Sequence, residues 1–135
     1  MLNGLLKGKK ELSVVIADDV EVMRELLKTT LSEIEGVKVE GVAQDGLEAL
    51  RLVHDLRPDV LLLDISMPFK SGIEVMREIR KNNLRIDIII FTIDSALRQA
   101  SLNAGANFFL VKSELGKLIE IFESLVDRSR VCHRV

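Results

Sequence analysis

With 135 residues, 47% of them hydrophobic and 30% charged, the chain has the size and composition of one globular domain with a buried core, which excludes a disordered polypeptide. Lys and Arg number 19 against 21 Asp and Glu, so the formal net charge is −2 and no cationic excess serves a surface built to hold nucleic acid phosphates. One cysteine, Cys132, excludes an intrachain disulfide and suits a reducing cytoplasm, and no apolar run reaches the ~18 residues of a membrane span.

The start carries Lys7, Lys9 and Lys10, but Gly4 and Gly8 interrupt it and no apolar h-region follows, so it does not read as a signal peptide. Residues 13–17 (SVVIA) form the first predicted strand. The helix after it places Val22, Leu26, Thr29, Thr30 and Ile34 at steps of three or four, and Gly36 ends the connection. The second strand, 37–43, alternates Val37 and Val39 with Lys38 and Glu40, as an edge strand does. Asp45-Gly46 opens the second helix and Arg57-Pro58 closes it. The third strand, 59–63, leads to a helix whose Ile73, Met76 and Ile79 share one stripe. The fourth strand, 86–91, precedes a helix closed by Gly105, where a left-handed residue is needed. The fifth strand, 107–111, turns Phe108 and Phe109 to opposite faces, and Ser113 is placed to cap a last helix over 114–128.

Five strand–helix units with apolar first, third and fourth strands imply an α/β fold: a doubly wound parallel sheet of order 2-1-3-4-5, covered by five helices. The domain occupies 12–128, with an N-terminal extension at 1–11 and a tail or linker start at 129–135.

In such a sheet ligands bind beyond the carboxyl ends of the strands, where strand order reverses. Strand one ends in Asp18-Asp19, strand three in Asp64, strand four in Thr92 and strand five in Lys112. A lone Asp there is commonly a helix cap, and a lone Thr or Lys an ordinary surface residue. Together they form an ordered set. Carboxylates about 5 Å apart repel by roughly 3 kcal/mol per pair at an effective dielectric near 20. Their all-oxygen character favours Mg²⁺ or a similar hard cation. Lys112 and Thr92 add a point charge and a hydroxyl donor, which makes an anion-recognition site around a metal.

These residues resemble the receiver domains of two-component response regulators, over about 12–128. The segments that carry the resemblance are VVIADDVEVMRELL, VAQDGLEAL, RPDVLLLDISMPFKSGIEVMREIR, IIIFT and AGANFFLVKS. The resemblance implies a flavodoxin-like fold and a regulatory phosphoacceptor with self-phosphorylation and self-dephosphorylation activity. Asp64 would accept a phosphoryl group from a sensor histidine kinase or phosphotransfer protein. Asp18 and Asp19 would hold Mg²⁺ with Asp64 and the backbone carbonyl of Ser66, Asp19 directly and Asp18 through water. Thr92 and Lys112 would contact the phosphoryl group, with Thr92 and Phe109 forming the switch, and Met67-Pro68 and Gly72 would shape the loop. It further implies a cytoplasmic protein without membrane or direct nucleic-acid contacts, an output domain or downstream partner outside this chain, and scope for a phosphorylation-dependent homodimer.

Three features depart from the family pattern: Phe109 has no hydroxyl, Ser113 replaces a frequent proline, and Thr92 to Lys112 spans only 20 positions (112 − 92). They motivate an alternative, a degenerate receiver acting as a constitutive interaction module. An aspartate-nucleophile phosphohydrolase fits less well, since Ser66 stands where such an enzyme needs a second aspartate. His54, His133 and Cys132 read as incidental surface or tail residues, Met23, Met67 and Met76 as packing or loop residues, and Arg77, Arg80, Lys81 and Arg85 as a solvated face.

Overall fold

The computed structural model describes residues 11–134, with side chains through Arg130. Expectations for the Cys132 and His133 side chains and for the first ten residues lie outside the described residues. Strands β1 (Leu12–Ala17), β2 (Val37–Ala43), β3 (Val60–Leu63), β4 (Asp87–Thr92) and β5 (Phe108–Val111) alternate with helices α1 (Glu21–Ser32), α2 (Gly46–Leu56), α3 (Gly72–Lys81), α4 (Arg98–Ala104) and α5 (Leu115–Arg134). A 3₁₀ turn, Ser95–Leu97, precedes α4. All strands pair in parallel, in the order β2-β1-β3-β4-β5.

The pattern of burial explains the layers. β1, β3 and β4 are buried almost throughout, because helices cover both faces. On one face Val14, Ile16, Leu62 and Phe91 pack against Leu27 and Leu31 of α1 and Leu118 and Phe122 of α5. On the other, Val15, Leu61, Leu63 and Ile90 meet Ala49 and Val53 of α2 and Val75, Met76 and Ile79 of α3. Removing one such side chain from water is worth about 1.5–3 kcal/mol, so each helix is held mainly by its apolar face. Phe108 packs with the first cluster and Phe109 with the second, as strand alternation requires.

Helix boundaries follow local chemistry. The Asp45 carboxylate accepts from the Glu48 amide at the start of α2, and Ser71 with Glu74 forms a reciprocal capping box at the start of α3. Gly105, at φ 118°, closes α4.

Two expectations are corrected. The buried stripe of α1 is Leu27 and Leu31, with Met23 and Ile34 packed beside it, while Val22 and Leu26 are exposed. Apolar residues occupy both adjacent stripes, and the entry angle from β1 decides which faces the sheet. Helix α5 continues to Arg134, past the expected end at 128. No Gly or Pro follows Arg128 to stop it, and Arg130 reaches Glu35 at 3.7 Å.

Arg80 also departs from expectation. Its guanidinium donates to the carbonyls of Gly105 (2.9 and 3.1 Å), Leu84 (3.2 Å) and Ile86 (3.0 Å) and to Asn107 Oδ1 (2.8 Å). It rivets α3 to the end of α4 and the start of β5 by satisfying carbonyls of the α3–β4 connection (Leu84, Ile86) and of the α4–β5 connection (Gly105). Arg77, Lys81 and Arg85 are exposed as expected.

Candidate functional site

The strand order places β1 beside β3, with Ala17 opposite Leu63. Pairing continues one residue beyond the strands: the Asp18 amide donates to the Ala43 carbonyl (3.1 Å), and the Asp64 amide to that of Ala17 (3.0 Å). Thr92 lies opposite Val111, and the Lys112 amide donates to the Thr92 carbonyl at 2.8 Å. Backbone register therefore brings together residues that are up to 94 positions apart in the chain (112 − 18).

Asp18, Asp64 and Thr92 are all buried, at 1%, 5% and 3% exposure, whereas Asp19 is exposed. The Thr92 hydroxyl donates to Asp64 Oδ1 at 2.9 Å. Lys112 Nζ bridges the acids, 2.7 Å from Asp18 Oδ2 and 3.0 Å from Asp64 Oδ2. The Ser66 amide reaches Asp64 Oδ1 only at 3.4 Å, a long bond. Asp18 Oδ1 accepts from the Val20 amide at 2.9 Å. Carboxylate oxygens of Asp18, Asp19 and Asp64 lie within 4.8 Å of one another.

The electrostatics are unbalanced. Three carboxylates face one ammonium. Burial pushes the Asp18 pKa up, and the charge of Asp64 adds to that, against the opposing bonds from Lys112 and Val20. Burial alone would lower the Lys112 pKa, but bonds and charges from Asp18 and Asp64 outweigh it and raise it, keeping the ammonium charged. The remaining negative charge, presented only by oxygen atoms, fits a hard divalent cation. Oxygens around an octahedral Mg²⁺ at about 2.1 Å lie roughly 3–4 Å apart, within small side-chain rotations of this cluster. Asp19, exposed and without a hydrogen bond among the described residues, has its carboxylate free for such an ion.

Phe109 is turned inward at 6% exposure, with the Arg98 guanidinium 6.0 Å from its ring centroid. Met67 is half-buried beside the α2–α3 core and Pro68 is exposed. Gly72 is needed because a Cβ there would collide with the Asp64 carbonyl. His54 is exposed, and its ring pairs with its neighbour Asp55.

Two contributors escaped the sequence reading. Arg24 Nη1 donates to the Asp18 carbonyl at 2.8 Å, and Glu114 Oε1 accepts from the Val111 amide at 3.0 Å. The signal for Arg24 was its place, six residues after Asp18 at the start of a helix that leaves the acidic end. Among the described residues no helix is long and apolar enough to cross a membrane.

The fold has close counterparts among known proteins. The response regulator receiver domain family matches residues 14–123. A response regulator named MprA, from Mycobacterium sp. (strain KMS), is 37% identical over 119 residues, covering 86% of this chain and 51% of that protein. The C4-dicarboxylate response regulator DctR of Bacillus subtilis (strain 168) is 30% identical over 119 residues, covering 86% and 53%. The chain thus spans about half the length of these curated relatives. The receiver domain of the Francisella response regulator 1452 superposes with a TM-score of 0.80 at 30% identity, covering 88% of this chain and 99% of that one. With the family matched over most of its length and the acidic pocket at the expected strand ends, the chain belongs to the receiver-domain family of two-component response regulators.

Proposed function

We propose that this receiver accepts a phosphoryl group on Asp64 and uses it to switch a partner-binding surface. One observation carries the reading: buried Asp64 is held between the Thr92 hydroxyl and the Lys112 ammonium, with Asp18 and Asp19 oxygens beside it.

An Asp64 oxygen attacks phosphorus, forming an O–P bond as the P–N bond of a phosphohistidine breaks. The electron pair stays on the ring nitrogen, which leaves as neutral imidazole when the far nitrogen carries a proton. Two like-charged reactants meet here, so positioning and charge neutralisation supply most of the catalysis. Asp18, Asp19 and Asp64, with the Ser66 carbonyl, would hold a Mg²⁺ that neutralises phosphoryl oxygens when bound. Lys112 moves its ammonium from the carboxylates to the incoming oxygens, and Thr92 turns its hydroxyl from Asp64 toward them. That exchange, with Phe109 lodged against α4, is the switch, and water attack on the acyl phosphate resets it.

The donor is a sensor histidine kinase or phosphotransfer protein, the setting is the cytoplasm, and the output lies in a further domain, a downstream protein or a phosphorylated homodimer. Residues 12–128 act as the receiver, with 1–11 as an extension and 129–135, which α5 enters as far as Arg134, as a tail or linker start. Incubation with phosphoramidate and Mg²⁺ is expected to add one phosphoryl group by intact mass. The Asp64→Asn chain is expected to add none. An unmodified parent chain, or an equally modified variant, would overturn the reading.

A further inference from the structure

Among the described residues, Phe69 is the phenylalanine that stands largely in solvent, at 77% exposure, five positions past Asp64 (69 − 64). Its φ is 69°, and the Lys70 amide donates across it to the Pro68 carbonyl at 2.8 Å. That is a γ-turn of the positive-φ form, a conformation strained for any residue with a Cβ. The loop has no room to relax. The Pro68 carbonyl also accepts from the Gly46 amide at 3.4 Å, and a Cβ on Gly46 would collide with the Lys70 carbonyl. On the other side a Cβ on Gly72 would collide with the Asp64 carbonyl. The backbone path therefore demands positive φ at position 69, which Gly or Asn would adopt with little strain. This chain places a large apolar ring there and leaves it in water.

The surroundings indicate what the ring meets. Among the described residues, the exposed large hydrophobic ones are Val20, Val22, Leu26, Leu47, Phe69 and Ile93. Each lies in a loop or the first two helical turns after β1, β2, β3 or β4, at the end of the sheet that holds Asp64. Asp64 itself is 5% exposed, so a protein that brings a phosphoryl group to it must close over this rim. A small phosphodonor need not.

We propose that Phe69 is a specificity-determining contact for a protein phosphodonor carrying phosphohistidine, a role that rests on Asp64 being the phosphoacceptor. The ring seats in an apolar recess of the donor while the P–N bond is exchanged for the Asp64 O–P bond. Strain and exposure in the free chain are retained because the ring works only in that complex.

The test compares two donors with the same P–N bond: a purified, radiolabelled histidine-phosphotransfer domain, and phosphoramidate. For Phe69→Gly and Phe69→Asn, transfer from the protein donor is expected to slow by roughly tenfold or more. Labelling by phosphoramidate should stay within about twofold, and the thermal midpoint should not fall below the parent's. Phe69→Met should keep most of the protein-donor rate. Equal loss with both donors, or no loss with the protein donor, overturns the role. So does failure of the protein donor to label the parent chain while phosphoramidate labels it. If neither donor labels Asp64, the phosphoacceptor reading itself falls and takes the docking role with it.

Discussion

The two ends of the sheet treat charge in opposite ways. At the amino ends of the strands, Arg80 satisfies the carbonyls of Leu84, Ile86 and Gly105 and the side chain of Asn107. The Asn107 side-chain oxygen accepts in turn from the Ile88 amide, and Asp59 accepts from both the amide and hydroxyl of Ser13. At the carboxyl ends, three acidic groups cluster and one lysine pairs with two of them, Asp18 and Asp64. The first arrangement closes a structure. The second leaves a charge imbalance that an added cation, a proton or a rearrangement relieves, so the two ends differ in character although both are built from buried polar groups.

Removing the one cation should break the contrast most. With chelator present, Lys112→Met leaves Asp18 and Asp64 buried without a counter-charge. Urea denaturation should show a loss of about 3–5 kcal/mol, since an orphaned buried charge costs far more than a paired one contributes. A loss below about 1 kcal/mol would mean that the site is well hydrated and the imbalance small.

At the opposite end, Arg80→Met should cost about 2 kcal/mol by stranding carbonyls that keep partial access to water. Phosphoramidate labelling of Asp64 should stay within about twofold, because the rivet lies far from the chemistry. A matching loss of labelling would show that the two ends are coupled.

The smallest effect sharpens the comparison from within the site end. Glu114 is a half-buried acid whose pKa is lowered, chiefly by the Val111 amide and then by Lys117. A lowered carboxylate stabilises the fold at pH values above its ordinary 4.5, and that contribution disappears as pH falls through the lowered value. Glu114→Gln should therefore lower the thermal midpoint slightly at neutral pH, and the two melting curves should converge in acid. Persistence of the gap at low pH would assign the effect to helix geometry instead of charge.

Much of this was legible in the sequence, for physical reasons that differ by element. Strand order followed from apolar strands that need cover on both faces, and it made Asp18, Asp64, Thr92 and Lys112 converge without any knowledge of side-chain geometry. What stayed hidden were the decisions made by tertiary packing. Val22 and Leu26 look as buried on a helical wheel as Met23 and Leu27 do, and only docking on β1 separates them. Arg80 read as a surface cation because its partners are backbone carbonyls, which carry no sequence signature. Phe69 is set apart by its backbone angle and its exposure together, and neither is written in residue type.

The rivet also has a mechanical consequence. Arg80 grips the Gly105 carbonyl, just past the last residue of α4, while the opposite end of that helix hangs from the short segment after Thr92. Any displacement of α4 is then a swing about a fixed pivot. The helix has seven residues and is about 10 Å long, so a tilt of roughly 20° carries its free end about 3–4 Å. Gly105, in the left-handed region at φ 118°, sits at that pivot. Movement is largest beside Thr92 and smallest at Gly105, so probes placed along α4 should report a gradient of displacement and not a uniform shift.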